Sequence, residues 1–153
     1  MEWKLPPKAK VYEALSCIGS GHVEFVGPDQ ALVTSSEGDR RYRVSFDFKT
    51  NRINSDDNGS RWQGYLGYPS IAVLMLKGKL PFDEDLSRAL RDIKWHSLNK
   101  KHKRNYDLAI QEAQQIAAQN GCEVTRLEQF VEKVMQEIEA KRFQRLAPRR
   151  RRR

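Results

Sequence analysis

The side chains best placed to do chemistry are cationic. The chain ends on Pro148 followed by Arg149, Arg150, Arg151, Arg152 and Arg153. A guanidinium is a planar, weakly hydrated fork that matches phosphate, so nucleic acid is the first partner this run suggests and an acidic protein the second. Five adjacent arginines repel one another and cannot pack, which predicts a disordered basic tail over 147–153. Nothing in the tail reads base edges, so binding through it would be sequence-tolerant. Five phosphate contacts would give log K a slope of about −4 to −5 against log salt.

A second basic cluster lies at Lys94–Arg104, KWHSLNKKHKR, which has five positive charges and no acid. Lys100, Lys101, Lys103 and Arg104 are its candidate phosphate contacts, and Trp95 is an aromatic that could stack on a base. The plainer reading is a solvated connection between two helices, with Trp95 turned inward. A third candidate is the glycine-dotted loop from Asp56 to Ser70. There Trp62, Tyr65 and Tyr68 could line a small-molecule pocket, or could simply pack the loop onto a sheet. It lacks the lysine and Ser/Thr spacing of a phosphate-binding loop.

Support for catalysis is thin. His22, His96 and His102 show no metal-site spacing, and Cys17 and Cys122 belong to no Cys-x-x-Cys pair. Asp56-Asp57-Asn58-Gly59 is ordinary turn chemistry and does not follow a calcium-loop pattern. The reading is therefore non-catalytic, with no cofactor and no metal.

The elements that must position these groups follow from periodicity. Val11, Tyr12, Leu15 and Ile18 recur at helical spacing and stop at Gly19-Ser20-Gly21, predicting a short amphipathic helix. Alternating strands follow around His22–Val26, Gln30–Ser35 and Arg41–Phe48, then a short one near Ile53. In the clearest of them Tyr42, Val44, Phe46 and Phe48 share a face. The run Ile71–Leu76 predicts a buried helix. Three more helices are expected: one on Leu86, Ala89, Leu90 and Ile93; one on Tyr106–Ala117; and one opening at Thr125-x-x-Glu128, the spacing of a capping box. Phe143 and Leu146 weakly continue the last.

This order predicts an α+β fold: an N-terminal helix, a four-stranded antiparallel meander covered on one face by helices, and an all-helical C-terminal half. The element order of the first half resembles the layout of TATA-binding-protein-like or helix-grip folds. Residues 1–146 should form a single domain.

Composition sets the frame. The 153 residues carry a net charge of +8, but all 20 acids lie at or before Glu139 and eight of the 28 bases follow residue 140. The first 140 residues are thus neutral, and the excess sits at one end. No apolar run approaches the roughly twenty residues of a membrane span, and no secretory segment is readable, so a cytoplasmic protein is expected. The leading expectation is sequence-tolerant nucleic-acid binding. A protein adaptor using the apolar face of the last helix, and a pocket in the 56–70 loop, stand as alternatives.

Overall fold

The computed structural model describes residues 1–147. Its first helix, α1 (Ala9–Gly19), follows Pro6-Pro7 and ends where Gly21 takes a left-handed φ of 71°. A meander then runs through β1 (Val23–Gly27), β2 (Gln30–Thr34), β3 (Arg41–Asp47) and β4 (Arg52–Ser55), each antiparallel to the last. The register sets Val33 opposite Tyr42, Ala31 opposite Val44 and Phe46 opposite Ile53. Ala31, Val33, Val44, Phe46 and Ile53 therefore point to one buried face, while Arg41, Arg43 and Arg52 project to water. This one-sided burial is what an alternating sequence dictates in an antiparallel sheet.

After β4 a single π-helical turn, Gly59–Gln63, leads to α2 (Tyr68–Leu76). From Pro69 to Met75 every residue of α2 is buried, as its all-round apolar sequence requires. It packs between α1 and the sheet. Then come α3 (Glu84–Ala89), α4 (Trp95–Lys101), α5 (Tyr106–Gln119) and α6 (Val124–Lys141). The N-terminus of α3 is capped by Asp83, whose carboxylate accepts from Leu86 N at 3.1 Å. The apolar face of α6, formed by Leu127, Val131, Val134 and Ile138, is buried in the core.

The α+β architecture matches the sequence reading, with three corrections. The sheet has five strands: β5 (Gln144–Arg145) lies parallel to β4, making it mixed and the C-terminal half not wholly helical. The physical cause is Arg142, whose left-handed φ of 51° ends α6 and turns the chain back. Phe143 enters the core, Gln144 N donates to Asn51 O at 2.9 Å, and Leu146 N donates to Ile53 O at 3.2 Å. The Lys94–Arg104 stretch is no plain connection, since Trp95–Lys101 is itself a helix. The capping box is not used: α6 starts one residue earlier, behind Glu123, with no side-chain cap.

Gly19 is the point of closest approach between α1 and α3. A Cβ there would lie 2.1 Å from Ser87 O. Nearby, the Ser87 hydroxyl donates to Leu15 O at 2.6 Å, tying the two helices together. Replacing a helical glycine by alanine ordinarily adds up to about 1 kcal/mol of stability. Here backbone contact reverses the sign, and Gly19→Ala is expected to lose about 1–3 kcal/mol in urea unfolding. A neutral or stabilised variant would show that α1 and α3 are not packed this closely.

Candidate functional site

Lys10, Glu13, Ser16 and Ser20 recur every three or four residues and so occupy one side of α1. In an isolated amphipathic helix this side would face water. Here α4 and the connecting loops cover it, leaving Glu13 only 6% exposed and Ser16 2%. Between them lies a cleft of about 180 Å³. Its α1 wall also includes Cys17; α4 contributes Trp95, His96 and Asn99. The end of β2, Tyr42 of β3, the Asp57–Gly59 turn and Tyr68 close the other side.

Lys10 Nζ sits 2.8 Å from Glu13 Oε2, while Asn99 Nδ2 makes a long 3.4 Å hydrogen bond to Oε1. The Trp95 indole N–H donates to the Ser16 hydroxyl at 2.8 Å, which fixes α4 against α1. Asp57, also buried, accepts from Ser60 N at 3.1 Å and from the Ser60 hydroxyl at 2.7 Å. Gly67 makes room for it, because a Cβ there would fall 2.4 Å from Asp57 Oδ2. Tyr42 and Tyr68 meet edge to face, with ring centroids 6.3 Å apart.

Protonation in the cleft follows from burial and the carboxylates. Burial works against the Lys10 charge, but the adjoining Glu13 carboxylate prevails and raises its pKa above the ordinary lysine value. Burial pushes the Tyr68 phenol well up; the negative fields of Cys17, Tyr42, Glu13 and Asp57 add to the shift. Burial, then Glu13, pushes the Cys17 thiol up to about 12. An activated cysteine needs the opposite shift, so Cys17 is a thiol in the neutral range and a poor nucleophile.

Of the three rings proposed for a loop pocket, Tyr68 lines this cleft. Tyr65 instead lies against Gly59, where a Cβ would come 2.5 Å from its ring, and Trp62 is 73% exposed. In the second basic cluster, Trp95 is 3% exposed and cannot stack on a base. Lys100, Lys103 and Arg104 are exposed and form no ion pair among the described residues. Lys101 pairs with Glu112 and holds that carboxyl below its usual range. Lys8, not singled out by sequence, shares a surface recess with Arg104. Arg149, Arg150, Arg151, Arg152 and Arg153 lie outside the described residues.

The direction in which the chain leaves the fold is set by β5. Parallel pairing with β4 carries it toward the end of the sheet where β4 finishes and β3 begins. At that same end, Ser36 and Glu37 of the β2–β3 turn hold α4. Lys94 Nζ donates to Ser36 O at 3.2 Å, and Ser97 N donates to Glu37 Oε1 at 3.1 Å.

A family model described as "Uncharacterised conserved protein UCP014422" matches residues 3–144. The chain belongs to this family. No curated protein and no solved structure matches it. The UCP014422 match spans every cleft-lining residue and all of α4, and stops ahead of the arginine run.

Sequence reasoning missed Lys10, Glu13, Ser16, Tyr42 and Asn99 as neighbours. The legible signal is the polar side of α1, but nothing local reveals a covering helix some eighty residues away. Alkylation of the native protein at pH 8 should modify Cys122 before Cys17, with Cys17 reacting only on unfolding. Cys17 reacting first would contradict the burial described for α1.

Proposed function

We propose that the protein binds nucleic acid without sequence preference, using Arg149–Arg153 together with Lys100, Lys103 and Arg104. The observation that supports this reading is where the described chain ends. The strand β5 sends the chain toward the sheet end at which the β2–β3 turn holds α4. Six residues beyond Ala147 span at most about 20 Å, and neighbouring strands are separated by about 4.8 Å. A polyanion long enough to span from the end of β5 to α4 would be needed to engage both groups at once.

Electrostatics favours the same reading. Lys100, Lys103 and Arg104 have no internal acid to leave, so phosphate contact costs them no ion pair. Lys101 must give up Glu112, but an exposed pair of this kind is worth only about 0–1 kcal/mol. With Trp95 buried, the contacts are to phosphate rather than base, which accounts for tolerance of sequence.

Fluorescence anisotropy with labelled RNA and DNA across a salt series tests this. Removing Pro148–Arg153 should reduce the magnitude of the log K against log salt slope by about 4 to 5. The variant K100A/K103A/R104A should reduce it by a further 2 to 3 or so, leaving folding intact. Equal affinity for the full and shortened chains, or binding indifferent to salt, would overturn the proposal.

A further inference from the structure

The cleft under α4 plays no part in phosphate binding, and its lining is wrong for an anion. Two buried carboxylates, Glu13 and Asp57, stand against the single ammonium of Lys10; His22 and His96 also line the cleft, and no arginine does. A phosphate or carboxylate would meet net negative charge in a poorly solvated space.

The unmet hydrogen-bond capacity is on the acceptor side. Asn99 Oδ1 is buried with no donor among the described residues, and Glu13 Oε2 has the Lys10 ammonium alone, 2.8 Å away. Buried acceptors of this kind are uncommon, and each calls for a donor. Asn99 Oδ1 finds none among the described residues. The rings of Tyr42, Tyr68 and Trp95 form flat walls beside these oxygens. A dry cavity of roughly 150 Å³ accommodates benzene, so this cleft takes a group of similar size.

We propose that the cleft between α1 and α4 binds a small planar organic cation rich in N–H donors, a guanidinium or amidinium, seated between Glu13, Asn99 and Asp57 against the aromatic walls. Charge selects a cation; the unfilled Asn99 Oδ1 selects an N–H donor over a quaternary ammonium; the rings select a flat group, which stacks favourably on an aromatic face. This site is independent of the nucleic-acid reading, because it uses none of the same residues.

Titration of the full chain with methylguanidinium, following the Trp95 indole N–H by NMR, tests the proposal. Tetramethylammonium and acetate at matched ionic strength serve as controls. A saturable shift is expected with methylguanidinium alone. Asn99→Ala should weaken it about tenfold or more, the loss of one hydrogen bond to a charged group. Glu13→Gln should abolish it; should that variant fail to fold, Asn99→Ala decides. The chain shortened after Ala147 should bind equally well, so the two proposals fail separately. A linear response, equal shifts with either control, or unchanged affinity in Asn99→Ala would overturn the inference.

Discussion

Burial of nearly all of α1 is the constraint on which the rest of this structure depends. The helix is packed by α2, α3, α5 and α6, and α4 covers its polar side. Val11, Tyr12, Ala14 and Leu15 are each at most 2% exposed, so their side of the helix supplies the centre of the core. Removing such side chains costs about 2–5 kcal/mol apiece when the site cannot collapse. The same geometry buries Glu13 and Ser16 and leaves Lys10 only partly exposed. A fold selected for stability alone has no need of that arrangement, because a buried ion pair rarely repays its desolvation relative to well-packed apolar residues.

The sheet depends on the two chain ends as much as on its own hairpins. Without β5, the outer edge of β4 would present unpaired backbone groups, a hazard that proteins generally cover. Cover comes from residues at opposite ends of the sequence. Trp3 N donates to Phe143 O at 3.0 Å, and the Trp3 indole N–H donates to Ile53 O at 2.8 Å. The Arg145 guanidinium stacks over the Trp3 ring, 4.3 Å from its centroid. Edge protection thus joins the two termini of the described chain, since β5 and Trp3 together cover β4.

Much of the fold was legible in local patterns. The alternation of Tyr42, Val44, Phe46 and Phe48 gave β3 its faces, and the all-apolar run from Ile71 gave α2 its depth. Features made by distant partners were hidden. Phe143 and Leu146 sit three apart and read as helix, yet Arg142 adopts a conformation that no local rule demands of arginine, and pairing with β4 decides the outcome. Thr125 and Glu128 had capping-box spacing, but tertiary packing starts α6 ahead of them. Trp95, in a cluster with seven basic or histidine residues, could stack on a base, though the core was the plainer reading. Its bond to Ser16, across 79 positions, settles it inward. The cleft was least legible of all, because its walls come from α1, β3, the Asp57 turn and α4, and no short window contains two of them.

The central claim is that the polar stripe on α1 serves a ligand and not the stability of the fold. Replacing Lys10 and Glu13 together by Met and Leu, and measuring urea unfolding, tests it most directly. The account predicts a double variant as stable as the parent chain, or more so by up to about 4 kcal/mol, whereas Glu13→Leu alone strands the Lys10 charge and loses about 3–5 kcal/mol. A double variant destabilised as severely as the single one would contradict the account, because the pair would then be part of what holds α1 in place.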